Sequence, residues 1–220
     1  MRIDGQDYYQ DEDGGCYRVY KYIDNSRAVD FNPTLSELYN AAKAFGKFQM
    51  MLSDYDASTL YEAIPNFHNT KHRFGTFLSS LEKNASGRAD TCTAEIEFVK
   101  AREEKCSAIV DKIETGELPL RVTHNDTKLN NVMFDNETGE GICVVDLDTV
   151  MPGVMGHDFG DAIRFAANFV EEDCPDVEKV GVDLEVFRAF AEGFLSRTAK
   201  TLTPNEVDTL ALSCFALTTE

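Results

Sequence analysis

No run of apolar residues in this sequence approaches the roughly eighteen needed for a membrane-crossing helix, so no membrane span is expected. The opening MRIDGQDYYQ lacks the basic and apolar regions of a signal peptide, which makes a cytoplasmic location the expectation. Low-complexity tracts and internal repeats are also missing, which sets aside disordered linkers and solenoids. The six cysteines, Cys16, Cys92, Cys106, Cys143, Cys174 and Cys214, never form a C-x-x-C pair. They read as reduced, mostly buried thiols rather than a disulfide framework or zinc site. Positive charge is scarce: 21 Lys and Arg stand against 39 Asp and Glu, a net charge of −18. Nucleic-acid binding, which needs clustered cations to displace counterions, is therefore not expected. A nucleotide stays compatible with an acidic protein when a metal ion carries the local positive charge. What is present, 220 residues of which 43% are apolar, is enough for one large or two small globular domains.

YYQDEDGGCYRVYKYI places two aromatic-rich β stretches around a turn, a hairpin signal. After Asn32 and Pro33, Thr34 and Glu37 form a Thr-x-x-Glu cap. Leu35, Leu38, Ala42, Phe45, Gln49 and Leu52 then recur at helical spacing, with Gln49 the polar exception. NTKHRFGTFLSSLEK predicts a shorter helix, and residues 93–115 a longer one ended by Gly116. LPLRVT, NVMFD and GICVVD read as short strands, the last two joined across NETGE. HDFGDAIRFAANFV and DLEVFRAFAEGFLSRTAK return to helix, and Thr203-Pro204 with Glu206 starts a final capped helix. Strands gathered in short hairpins among long helices predict an α+β fold.

The chemistry concentrates in RVTHNDTKLNNVMFDNETGEGICVVDLDTVMPG. Phosphoryl transfer from ATP asks for few groups: an acceptor for the attacking hydroxyl's proton, metal ligands, and positive charge at the transferred phosphoryl. In the kinase loop H-R-D-x-x-x-x-N the base Asp precedes a metal-binding Asn by five residues, and Asp126 and Asn131 keep that spacing. Lys128 can reach γ-phosphate oxygens as a point charge. Asp146, ending an apolar strand one hairpin later, occupies the place of the kinase metal-binding Asp. The literal Asp-Phe-Gly at Asp158, Phe159 and Gly160 is a decoy, since it starts a helix rather than following that strand. Asp158 is expected to cap its helix or to brace the catalytic loop by accepting backbone N–H bonds. His124 is expected to pack beneath the loop as structural support. Asp148 is open between a second metal ligand and a contact to the acceptor.

THNDTKLNNVMFD, VVDLDTVMPG and DFGDAIRF together resemble the aminoglycoside phosphotransferase and choline kinase superfamily. YRVYKYID, AFGKFQMML, IPNFHNTKHRF and GELPLRVTHNDTKLNN are similar to its N-acetylhexosamine 1-kinase subgroup, so the likeness covers nearly the whole chain. The resemblance implies a protein kinase-like fold, Mg2+ and ATP as cofactors, and γ-phosphate transfer to the anomeric hydroxyl of an N-acetylated hexose. It implies Asp126 as catalytic base, Asn131 and Asp146 as metal ligands, and Lys128 beside the transferred group. No G-x-G-x-x-G occurs. Residues 1–23 resemble only the last strands and hinge of an N-terminal lobe. Residues 24–220 resemble the helical C-terminal catalytic lobe, incomplete at its C-terminus, so the isolated chain is expected to be weak or inactive.

His68 and His72 share the H-x-x-x-H spacing of a helical zinc site, but Asn69 stands where a metalloprotease needs Glu, and no third ligand is evident. They are read as ordinary hydrogen-bonded histidines at a helix start. Contacts from His68, Asn69 or Arg73 to the acceptor or a lobe interface are the alternative. Two other functions compete with a sugar kinase: a kinase for an aminoglycoside, choline or similar small alcohol, and a non-catalytic binding lobe. A polycationic aminoglycoside suits an acidic cleft, whereas the retained base, Lys and metal ligands speak against a lobe without turnover.

Overall fold

The computed structural model describes residues 5–30, 33–170 and 174–220. Among the described residues, seven α-helices and three small antiparallel sheets make an α+β architecture consistent with a kinase-like fold. No helix among the described residues is long and apolar enough to cross a membrane.

The chain opens with a short hairpin, β1 (Tyr9–Gln10) against β2 (Cys16–Tyr17). Asp11 closes its turn by accepting the Gly15 N–H at 2.7 Å. The predicted second β stretch shrinks to two residues, and Tyr17, Tyr20 and Tyr22 stay exposed because no sheet face covers them. Next comes β3 (Ser26–Arg27), which the sequence did not announce; its identity as a strand comes from its partner β5. The Asn32 of the predicted helix entry lies outside the described residues.

Helix α1 (Leu35–Met51) begins with the expected capping box between Thr34 and Glu37 and buries Leu38, Ala42, Phe45 and Gln49. It crosses α6 (Leu184–Thr198) so closely that a side chain on Gly193 would run into the Tyr39 carbonyl. Phe159, Phe190 and Phe194 join Phe45 in the main core beneath this crossing. Helix α2 (Thr70–Lys83) follows as predicted.

The single helix expected over 93–115 is instead two, α3 (Thr93–Lys100) and α4 (Glu103–Glu114). Arg102 sits at the break. Its guanidinium lies 3.2 Å over the Phe98 ring centre and donates to the Phe98 carbonyl at 2.8 Å. Its N–H turns to the Val99 carbonyl rather than to Phe98, the partner of a continuous helix.

Strand β4 (Arg121–Thr123) pairs with β7 (Met151–Gly153), and β5 (Val132–Asp135) pairs with β6 (Gly141–Val144). Helix α5 (Met155–Ala166) starts earlier than HDFGDAIRFAANFV suggested and stops earlier too. It lies against α7 (Pro204–Thr219), whose predicted capping box between Thr203 and Glu206 is present. At Gly160 a Cβ would sit 2.7 Å from the Ser213 carbonyl oxygen, so close helix packing accounts for the glycine of the literal Asp-Phe-Gly. The cysteines depart from expectation: they are free, but only Cys106 is buried, while Cys16 and Cys92 are exposed.

Candidate active site

The loop after β4 carries His124, Asn125, Asp126 and Thr127, and its four consecutive backbone N–H groups all end on side chains. Asp158 accepts two of them, from His124 at 3.0 Å and from Asn125 at 2.8 Å. The Asp126 N–H donates to His124 Nδ1 at 3.3 Å, and the Thr127 N–H to Asp161 Oδ2 at 2.8 Å. Asp158 and Asp161 sit about one turn apart on α5, so a single helix face fixes most of the loop. This is a complete account of a buried irregular segment's donors.

Asp158 braces the loop but does not cap its helix, because α5 begins at Met155 with Val154 at the cap position. Burial pushes the Asp158 carboxyl above its ordinary value of 3.8, while the Asn125 and His124 N–H groups oppose the rise. Gln49 adds a third donor through its side-chain amide, and its own Oε1 is buried without a partner. The polar exception on the apolar face of α1 thus belongs to the site. His124 is fully buried, edge-on to Phe45 and Phe48. Its Nε2 lies 2.9 Å from the Val145 carbonyl. A carbonyl only accepts and an amide N–H only donates, so Nε2 carries the proton and Nδ1 is the acceptor.

Asn125 has φ 64°, a left-handed conformation that Asn tolerates better than most residues. Its amide is held at both ends, by Thr123 Oγ1 at 2.9 Å and by donation to the Thr149 carbonyl at 2.9 Å. Thr149 in turn donates its hydroxyl to the His124 carbonyl at 2.7 Å. Strained backbone persists only where neighbours over-determine it, and here they do.

Asp126 and Asn131 meet directly. Asn131 Nδ2 donates to the Asp126 carbonyl at 2.8 Å and approaches Asp126 Oδ2 at 3.3 Å. With its donor end so placed, the Asn131 carbonyl oxygen is the end suited to a cation. Lys128 Nζ stands 3.6 Å from Asp126 Oδ1, with both side chains partly exposed. The Val145 N–H donates to the Asn131 carbonyl at 2.9 Å, extending the Val132–Val144 pairing by one step. Asp146 therefore leaves the hairpin beside Asn131, exposed and at φ 58°. Asp148, two residues on, is bonded by Arg18 Nη2 at 2.6 Å, linking the first hairpin's segment to this loop.

Among the described residues, no three His, Cys, Asp or Glu side chains cluster to hold a metal alone. Mg2+ does not need such a cage. It takes hard oxygen ligands from one or two carboxylates and completes its shell with waters and substrate phosphates. An Asn amide oxygen and the Asp146 carboxylate fit that description.

The three residues around the start of α2 divide. His68 reaches the loop, with Nε2 3.2 Å from the Asn125 carbonyl. Asn69 caps α2 by accepting the His72 N–H at 3.0 Å. Arg73 donates to the Phe67 carbonyl at 2.8 Å and pairs with Glu220. These contacts tie Asn69 and Arg73 to the α2 start and to Glu220, not to Asp126. A cavity of about 210 Å³ beside the loop is lined by His68, Asn69, Asn125 and Glu62 among others. Gln49, Thr149 and Asp161 are the residues that the sequence reading missed; only Gln49, on its apolar face, and Asp161, three after Asp158, left a trace there. The family profile described as phosphotransferase enzyme family matches residues 3–192.

Proposed function

The chain belongs to the phosphotransferase enzyme family, whose members are kinase-like enzymes acting on small molecules, and on that premise we propose a specific reaction. The protein transfers the γ-phosphoryl group of Mg2+-ATP to the anomeric hydroxyl of an N-acetylhexosamine or similar sugar. Residues 24–220 act as the catalytic lobe, and residues 1–23 as the strands and hinge that lead into it.

The observation that carries this reading is the Asp126–Asn131 contact placed beside Asp146 by the Asn131–Val145 pairing. Asp126 takes the proton of the sugar hydroxyl as its oxygen bonds to the γ-phosphorus. The bond from that phosphorus to the β-γ bridging oxygen breaks, and ADP leaves with the electron pair. Lys128 offsets charge on the transferred oxygens while it is released from Asp126. Asn131 and Asp146 would hold Mg2+, which would supply positive charge to offset that of the phosphates. The histidine and aspartates under the loop hold Asp126 in position so that little reorganisation accompanies the transfer.

The test is a 31P NMR assay with Mg2+, ATP and a panel of acceptors at high enzyme concentration. A sugar 1-phosphate from wild type, and none from a folded Asp126→Asn variant, is the expected result. The net charge of −18 favours a second reading in which a polycationic amino sugar is the acceptor. Phosphate on a non-anomeric hydroxyl of such a substrate would select it. Near-normal turnover in Asp126→Asn would remove the base assignment for both.

A further inference from the structure

The peptide group joining Asn125 to Asp126 is held by two histidine rings from opposite sides. His124 Nδ1 accepts its N–H at 3.3 Å, and His68 Nε2 lies 3.2 Å from its carbonyl oxygen. The second ring nitrogen of His68, Nδ1, stands 3.2 Å from Glu220 Oε1. That same oxygen forms an ion pair with Arg73, whose Nε lies 2.8 Å away while giving its one N–H to the Phe67 carbonyl, so it faces His68 as a carboxylate oxygen that only accepts. His68 therefore faces acceptors with both nitrogens. Only an imidazolium, which donates from both, satisfies this arrangement.

The surroundings agree. The side chains of His68 and Glu220 are 9% and 8% exposed, so water competes little for either contact. His157 of α5 lies 5.0 Å from the His68 ring. Burial first, and then the charge of His68, push His157 down to about 3, so the second ring stays neutral beside the first. Glu62 and Glu114 line the adjoining cavity, Glu114 being itself paired with Lys71 at 2.7 Å. Phe67 covers the ring at 4.5 Å.

We propose that His68 is a positioning residue: as an imidazolium strapped between Glu220 and the Asn125 carbonyl, it fixes the left-handed Asn125 and with it the direction of Asp126. His68 then acts through the loop rather than by touching the acceptor. The structural claim stands on the contacts of His68 with Glu220 and Asn125, and its consequence for turnover rests on Asp126 being the base.

The experiment uses the whole chain labelled with 15N, in wild type and in Glu220→Gln, His68→Gln and His68→Phe. In wild type both His68 ring nitrogens, each facing an acceptor, are expected to give protonated signals. In Glu220→Gln the introduced amide can donate to Nδ1, so Nδ1 is expected to lose its proton while Nε2 keeps it. In His68→Phe the Asp126 amide is expected to exchange about tenfold to a hundredfold faster, as loss of one charged hydrogen bond implies. His68→Gln, which retains a donor for the Asn125 carbonyl, should restore part of that protection. A singly protonated His68 in wild type, or unchanged ring signals in Glu220→Gln, would overturn the proposal even where His68→Phe fails to fold. Unchanged Asp126 exchange in a folded His68→Phe would overturn it too. Faster exchange with unchanged phosphoryl transfer would support the strap and count against Asp126 as base, so the two failures are distinguishable.

Discussion

Replacing Asp158 with Asn removes one acceptor from a site that uses both. In the native loop Oδ1 takes the Asn125 N–H, while Oδ2 takes the His124 N–H and the Gln49 amide. An amide offers one oxygen and one NH2 in the same space. With the oxygen toward His124 and Gln49, the NH2 opposes the Asn125 N–H, donor against donor. With the oxygen toward Asn125, Gln49 can turn its unpartnered Oε1 to the new NH2, yet the His124 N–H is then orphaned. Either way one buried backbone donor goes unmet, which costs about 1–3 kcal/mol. Relief of burying a charge offsets part of this, since burial already raises the Asp158 carboxyl. A net loss of about 1–2 kcal/mol is expected in urea unfolding, together with faster amide exchange confined to residues 124–127. The concentration of Mg2+ that half-saturates nucleotide binding should not change, because both Asp158 oxygens are taken up by the loop N–H groups and Gln49. Unchanged stability and exchange would refute the accounting, and a large rise in that Mg2+ concentration would restore Asp158 as a metal ligand.

Two further predictions concern groups away from the proposed metal ligands. His157 is buried with its pKa lowered from 6.5 to about 3, so the unfolded chain binds a proton that the folded chain refuses. Its contribution to stability is full above about pH 6.5 and is lost as pH falls toward 3, at up to about 1.4 kcal/mol per pH unit. Urea unfolding from pH 7 to 4 should show a shallower acid decline for His157→Asn than for wild type. Glu206 is buried, and burial alone would raise its carboxyl, but Arg121 at 2.6 Å and the Thr203 N–H outweigh that and leave it lowered. Arg121→Ala strands this carboxylate and should destabilise by about 3–5 kcal/mol, read from the shift in urea midpoint. Arg121→Ala combined with Glu206→Gln should recover part of the loss.

The contacts of the candidate site were legible in the sequence because its residues lie close along the chain. Asp126 and Asn131 are five residues apart in one loop, and Asp146 follows a single hairpin. Helix starts at Thr34 and Thr203 were equally readable, since a capping box is a four-residue pattern. What the sequence concealed depends on distant partners. Gln49 reaches Asp158 across 109 positions, and β3 and β7 are strands only through the chains they pair with. The split between α3 and α4 lies where the Arg102 N–H turns from Phe98 to Val99, which no apolar periodicity records. Asp158-Phe159-Gly160 shows the opposite hazard, a motif whose letters match while its Gly packs against Ser213 and its Asp supports the loop.

The most direct test of the metal-and-base site uses Mn2+ as a paramagnetic substitute for Mg2+, titrated with ATP into 15N-labelled protein. The account predicts that amide signals broaden first at Asn131 and Asp146 and next at Asp126, and that Asp146→Asn abolishes this pattern without altering the fold. Broadening centred elsewhere, or a pattern that survives in Asp146→Asn, would contradict it.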